Sequence, residues 1–321
     1  MIVEFSDIIA AQKRIAGVVR HTPLLSPIHE APPSQARFYY KCEHLQRGGA
    51  FKMRGAYNKI ASISEERRRY GVVAFSSGNH ARAVATAASL LGIHAKIVMP
   101  QDAPQNKIAA TREVGAEIIL YDRYKEDRAA IAQEICDREN RTLVPPFDDP
   151  YIIAGQGTIG LEIDEQADHL DFLVAPVGGG GLMAGTAVAL VEKRPNLKFI
   201  AAEAASANDT YLSMKKGERV EIPVPQTLAD GMQVTSPGIL TFEIMKDLLQ
   251  EVVLVSEQEI VDSLYQIAST IRQVIEPTSA VAVAAAKKIA AANPGAHIAV
   301  ILSGGNIDLQ KYHSLVASRL D

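Results

Sequence analysis

The chain has 321 residues, with 33 basic against 37 acidic side chains for a net charge of −4. That length predicts about two domains with a substantial core, and the 47% apolar and 22% charged residues exclude a disordered chain or a coiled coil. The acidic balance argues against a nucleic-acid surface; two cysteines, Cys42 and Cys136, cannot build a disulfide framework or a four-ligand zinc site.

The opening stretch, MIVEFSDIIAAQKR, carries acids early and lacks a basic segment before an apolar core, so it does not read as a signal peptide. No run of about 18 apolar residues exists to span a membrane, and a cytoplasmic setting is expected. Helical spacing of Ile8, Ile9, Ala11, Ile15 and Val18 predicts a first helix over Ser6–Val18. Ala36–Leu45 reads as a strand. Strands then alternate with helices: Val72–Phe75, Ala81–Leu91, Ala95–Met99, Asn106–Val114, Ala116–Tyr121, Lys125–Arg138 and Thr142–Pro145. A second block runs from strand Phe172–Val177 through helix Leu182–Glu192 and strand Phe199–Glu203 to an irregular stretch, Glu221–Gly238. Helices Glu257–Gln273 and Ser279–Ala292 precede a last strand, His297–Leu302. This pattern predicts an α/β protein with two parallel sheets.

Three polar loops follow apolar strands. Gly178-Gly179-Gly180-Gly181-Leu182 opens a helix, and its glycines let backbone N–H groups turn toward an anion. A tight strand–helix turn needs one or two glycines, not four. No Gly-Lys-Ser/Thr follows, and the spacing does not match a dinucleotide fingerprint. Ser76-Ser77-Gly78-Asn79-His80 and Ser303-Gly-Gly-Asn306 sit where open α/β sheets bind ligands. Lys52, between Phe51 and Met53 in a glycine-flanked segment, is the fourth feature. An ordinary lysine is solvated; one with a lowered pKa can form a Schiff base with an aldehyde. Lysine and glycine loop together point to pyridoxal phosphate. A nucleotide-binding α/β protein or oxidoreductase is the alternative.

On these motifs the chain resembles the fold-type II pyridoxal-phosphate enzymes, specifically the serine/threonine dehydratase and serine racemase group. The resemblance spans nearly the whole chain: Phe51-Lys52-x-Arg54-Gly55-Ala56, Ser76–His80, Ala154-Gly-Gln-Gly-Thr-Ile159, the glycine loop, Thr227-Leu-Ala-Asp-Gly231, Glu276-Pro-Thr and Ser303–Asn306. Ala50 and Tyr121–Arg128 look most like the subgroup of fungal serine racemase and threo-3-hydroxyaspartate ammonia-lyase. Arg82 departs from the Gln or Gly usual at its position, and Ala204 and Ser279 depart from the usual Pro and Gly. Cysteine synthases resemble the chain less, because they carry Asn where Arg54 stands.

The resemblance implies a tryptophan synthase β-like fold. The large cofactor domain would comprise residues 1–60 and 144–321, the small mobile domain 61–143, with the cofactor in the cleft between them. It implies that Lys52 carries the cofactor and takes the substrate's Cα proton, Phe51 packs beside the ring and Asn79 meets its phenolic oxygen. Gly178, Gly179, Gly180, Gly181 and Leu182 would hold the phosphate, and Ser303 the ring nitrogen. Ser76, Ser77, Asn79 and His80 would hold the substrate carboxylate, with Ser77 as acid/base on the face opposite Lys52. Arg128 would reach the substrate's β-substituent. Glu203, the Ala207 carbonyl and Asp209 match a divalent cation site suited to Mg²⁺, or Ca²⁺ or Mn²⁺. The implied activity is elimination of the β-hydroxyl from serine, threonine or threo-3-hydroxyaspartate, with serine racemase as the alternative. A small amino-acid substrate and a homodimer are expected, without nucleic-acid or membrane partners.

Overall fold

The computed structural model describes residues 2–29, 32, 34–76, 78–103 and 105–318. In chain order the strands are β1 (Leu24–Leu25), β2 (Arg37–Lys41), β3 (Val72–Phe75), β4 (Ala95–Pro100), β5 (Glu117–Tyr121), β6 (Thr142–Leu143), β7 (Phe172–Pro176), β8 (Lys198–Ala204), β9 (Leu249–Val255) and β10 (His297–Ile301). The helices are α1 (Phe5–Ile15), α2 (Lys52–Ala61), α3 (Glu65–Arg68), α4 (Asn79–Leu90), α5 (Gln105–Glu113), α6 (Arg128–Glu139), α7 (Pro150–Gln166), α8 (Gly181–Leu190), α9 (Asp209–Lys216), α10 (Ile239–Leu248), α11 (Glu257–Thr270), α12 (Pro277–Ala292) and α13 (Leu309–Ala317).

The strands form two sheets, as the alternation predicts. One is parallel in the order β5-β4-β3-β6. The other has the order β1-β2-β10-β7-β8-β9 and is parallel except for the β1–β2 pair. In the larger sheet side chains alternate between two cores. Phe172, Val174, Ile200 and Val300 point into the core shared with α11 and α12. Leu173, Ala175, Ala201 and Ala299 point into the one shared with α7 and α8. With both faces covered, β7 is buried at every residue and reads as an unbroken apolar run.

Two local expectations are corrected, and one motif is given its place. The strand expected over Ala36–Leu45 ends at Lys41, and Glu43–Leu45 form a 3₁₀ turn. The helix expected from Lys125 starts at Arg128, because the Asp127 side chain accepts from the N–H groups of Ala129 and Ala130 and caps it. Ala154–Ile159 lies inside α7, buried from Ile152 to Ile163, so this motif is a packing surface. A Cβ on Gly155 would come within 2.6 Å of Gly55 Cα, and one on Gly185 within 2.2 Å of the Ile153 carbonyl. Glycine there lets α2, α7 and α8 cross in backbone contact.

A buried ionic cluster locks these elements. Arg54 on α2 is fully buried and uses both oxygens of Glu43, at 2.7 and 2.8 Å, and both of Glu162, at 2.6 and 2.9 Å. Lys41, also fully buried, donates to Glu162 Oε2, the Thr22 carbonyl and Gln166 Oε1. Burial alone would pull the Arg54 pKa down, but Glu43 and Glu162 hold it above the usual value. Two positive and two negative groups balance without water. Arg54→Leu removes the ion-pair partner of buried Glu43 and leaves Lys41 as the cation on Glu162. A loss of about 3–5 kcal/mol in unfolding free energy is expected, read from the denaturant midpoint.

Candidate active site

The C-terminal ends of β3, β7 and β10 open onto one cavity of about 550 Å³. Phe51, Lys52, Ser76, Asn79, His80, Arg128, the Gly178–Leu182 loop and Ser303 all line it. The three polar loops and the lysine segment, far apart in sequence, therefore converge.

Lys52 is the first residue of α2. It is half-buried, the surface it keeps faces the cavity, and its amine donates to the Pro146 carbonyl at 2.6 Å. Removal of water from the ammonium lowers its pKa to about 8, against the opposing pull of the Glu276 carboxylate. Its Nζ lies 4.9 Å from the centre of the Phe51 ring.

The glycine loop reaches α8 through Gly180, whose φ of 90° is a left-handed conformation. A Cβ on Gly178 would approach the Gly231 carbonyl to 2.8 Å, and one on Gly179 would overlap the Phe147 ring. Side chains are thus kept out of the space that the first N–H groups of α8 face. Those groups have no partner inside their own helix and carry the positive end of its dipole.

Asn79 and His80 open α4. The Asn79 amide donates to Glu276 Oε1 at 2.8 Å. His80 is buried, and Nε2 lies 2.8 Å from the Val144 carbonyl, so Nε2 carries the proton and Nδ1 is a bare acceptor. Nδ1 is buried without a hydrogen-bond partner among the described residues. Burial, with the Lys52 charge adding to it, lowers the imidazole pKa to about 3. A neutral ring with this polarity cannot pair with a carboxylate, so His80 offers an anion its backbone N–H. Ser76 lines the cavity and accepts from the Gly78 N–H. Ser77, expected as the second acid/base, lies outside the described residues. Ser303 Oγ lies 3.1 Å from Ser279 Oγ, and Ser279 in turn bonds both the N–H and the carbonyl of Gly304.

Arg128 is half-buried, whereas Arg123 to Asp127 are exposed. Its guanidinium lies 5.6 Å from the centre of the Phe75 ring at the end of β3. Glu203, Ala207 and Asp209 do not line this cavity, and Glu203 and Asp209 lie close enough to interact. Glu203 accepts from the N–H groups of Thr210 and Tyr211 at 2.9 and 2.8 Å, capping α9. Burial, reinforced by Asp209, raises Glu203 to about 8, and burial raises Asp209 to about 7. Asp209 Oδ2 is buried with no partner among the described residues.

Residues 15–304 match the family model described as pyridoxal-phosphate dependent enzyme. The chain belongs to this family. It is 42% identical to the serine racemase of Schizosaccharomyces pombe, over 96% of this chain and 95% of that protein. It is 41% identical to the L-threo-3-hydroxyaspartate ammonia-lyase of Saccharomyces cerevisiae, over 99% and 97%. Maize serine racemase superposes with a TM-score of 0.92 at 35% identity, covering 100% of this chain and 98% of that one. The fold is that of the fold-type II enzymes, and the cofactor is pyridoxal phosphate. Among the described residues no helix is long and apolar enough to cross a membrane.

The residues fit the cofactor: an amine of lowered pKa, a side-chain-free anion cradle at a helix N-terminus and a hydroxyl share one enclosed space. Glu276 and Phe147 also line this space and were not singled out as site residues by the sequence. Glu276-Pro-Thr looks like an ordinary helix start with Pro at the first position. The signal was the acid itself, unusual at the entry to a helix buried from Pro277 to Ala286.

If Lys52 carries the cofactor, its amine must be neutral for loading, and its neutral fraction grows as pH rises through its pKa. The rate at which cofactor-free enzyme regains its long-wavelength absorption band should climb up to pH about 8 and then flatten. An ordinary lysine would keep climbing toward about pH 10.4. Lys52→Ala should give no band at any pH.

Proposed function

We propose that the protein is an ammonia-lyase that removes the β-hydroxyl of small hydroxyamino acids (L-serine, L-threonine and threo-3-hydroxyaspartate), giving a 2-oxo acid and ammonia. The observation that carries this reading is that Lys52 and Arg128 line the same cavity, an amine able to accept a proton facing the same space as a guanidinium able to hold a β-substituent. The similarity to a fungal L-threo-3-hydroxyaspartate ammonia-lyase supports it.

Bound pyridoxal phosphate supplies the electron sink that makes the substrate's Cα proton removable. The backbone N–H groups at the start of α4, with Ser76 and Asn79, hold the substrate carboxylate. Lys52 takes the Cα proton and is positioned to hand a proton to the departing β-hydroxyl, which leaves as water. The released enamine hydrolyses in water to the 2-oxo acid and ammonia. Ser303, a neutral hydroxyl where the ring nitrogen is expected, would not hold that nitrogen protonated. A weaker sink favours prompt loss of the β-hydroxyl over a long-lived carbanion.

Arg128 sets the order of preference within this reading. A guanidinium binds a second carboxylate bidentately or donates to a β-hydroxyl, and offers a methyl group nothing. Wild-type enzyme should turn over threo-3-hydroxyaspartate at least as well as threonine. Arg128→Ala should lower kcat/KM for the dicarboxylic substrate by about tenfold to a hundredfold more than for threonine, from a charge-assisted pair of about 1.5–3 kcal/mol. Equal losses, or no 2-oxo acid from any of the three substrates, would overturn the assignment.

A second reading, racemisation of serine, is favoured by the 42% identity to a fungal serine racemase. It requires a proton donor opposite Lys52, the role expected of Ser77. Formation of D-serine alongside pyruvate is its measure.

The same proposal places Mg²⁺ at Glu203, Asp209 and the Ala207 carbonyl. A hard oxygen set and the unpartnered Asp209 Oδ2 suit a divalent cation. Mg²⁺ at about a hundred times its Kd should stabilise chelator-treated protein by about 2.7 kcal/mol. Asp209→Asn should abolish that increment, and an unchanged melting temperature in wild type would remove the site.

A further inference from the structure

We infer that Arg82 is a positioning residue whose donor-only charge reinforces the direction of a hydrogen-bond relay that holds Asn79 as a donor toward the cavity. The inference rests on the proposed cofactor site only for what Asn79 then touches. Four side chains form the relay. Arg82 Nη1 on α4 donates to Asn306 Oδ1 at 3.2 Å. Asn306 Nδ2 donates both its hydrogens, to the Gly48 carbonyl at 2.8 Å and to Asn79 Oδ1 at 2.9 Å. Asn79 Nδ2 donates to Glu276 Oε1 at 2.8 Å. The relay crosses from the helix following β3 to the loop following β10, so it also bridges the two sheets.

The polarity follows from the chemistry of its two ends. An asparagine amide can be turned over, exchanging oxygen for nitrogen at almost no steric cost. A guanidinium has donors and no acceptor. Opposite Arg82 only Asn306 Oδ1 is compatible, and the Gly48 carbonyl accepts only from Asn306 Nδ2, so the two hold the same orientation of Asn306 and Nδ2 faces Asn79. Asn79 must then present Oδ1 to Asn306 and Nδ2 to the Glu276 carboxylate, an acceptor when ionised. Every bond in the series points the same way, from the positive end to the negative end, and such bonds reinforce one another. One Asn79 hydrogen goes to Glu276; the other belongs to a side chain that lines the cavity.

The position of Asn306 is fixed independently. It packs against Gly49, where a Cβ would lie 2.3 Å from Asn306 Oδ1 and where φ is 77°. Arg82 itself is exposed, so exchanging it does not threaten the core.

The test compares Arg82→Lys, which keeps a donor, with Arg82→Glu, which substitutes an acceptor, in wild-type and Asn306→Ala backgrounds. In cofactor-free protein labelled with ¹⁵N-asparagine, the Asn79 and Asn306 side-chain amides should be protected from hydrogen exchange in wild type and Arg82→Lys, and lose protection in Arg82→Glu. In the holoenzyme, Arg82→Glu should shift the long-wavelength absorption maximum and lower kcat/KM by about tenfold, with the melting temperature unchanged. Arg82→Glu should change nothing further once Asn306 is Ala. Unaltered protection in Arg82→Glu, or an equal loss with and without Asn306, overturns the relay. Absence of the absorption band in wild type would instead overturn the cofactor site, and the exchange measurement would still decide the role of Arg82.

Discussion

A guanidinium without access to water, two residues beyond Lys52, governs the geometry of this protein. Arg54 is tolerable in the core only because four carboxylate oxygens surround it. An unpaired charge at that depth costs several kcal/mol, more than most single contacts return. Glu43 comes from the turn after β2 and Glu162 from α7, so α2 can occupy one place relative to both. The glycine crossing of Gly55 against Gly155 removes the remaining freedom by bringing the two backbones together. Lys52 starts this immobilised helix. Its amine can sit in a poorly hydrated space because the helix carrying it has nowhere else to go.

Strand–helix alternation and the glycine-rich loops were legible because they leave local marks: β-branched runs, turn residues and polar caps. The elements that escaped lack such marks. α7 is buried on all sides from Ile152 to Ile163, so it does not show the 3.6-residue apolar period by which a surface helix is read. α7 also carries Gly155, Gly157 and Gly160, which argue against a helix on propensity and are needed for packing. β9 has Gln250 and Glu251 exposed at the sheet edge, and that polar opening hides a strand that pairs with β8 along its length. Arg54 appeared in the sequence only as part of a family motif. Its partners lie at positions 43 and 162, and no spacing rule connects them.

The cavity departs from ordinary protein chemistry at two groups. Buried polar atoms are nearly always paired, yet His80 Nδ1 is buried without a partner among the described residues, as are a few atoms away from the cavity, among them His44 Nδ1, Thr186 Oγ1 and Asp209 Oδ2. Lys52 is held near a pKa of about 8 rather than left in water. Each departure costs stability in the ligand-free chain. Departures of this kind are expected where local consistency yields to chemistry.

The two sheets contribute the same device from opposite sides. α4, following β3, and α8, following β7, both aim their N-termini at the cavity, so two positive dipole ends face one enclosed space. A single small anion can answer only one of them. In the proposed reading a phosphate alone would fill the glycine cradle and leave the α4 N-terminus unanswered, and an amino-acid carboxylate alone would do the reverse. Cofactor and substrate together would place an anionic group at each end, with the Lys52 amine lining the same cavity. The relay from Arg82 to Glu276 ties these sheets at the same place, through bonds that parting the sheets would break. In that reading the two ligands would bind best together with both sheets engaged, which is the condition under which water is excluded and proton transfer at Cα is useful.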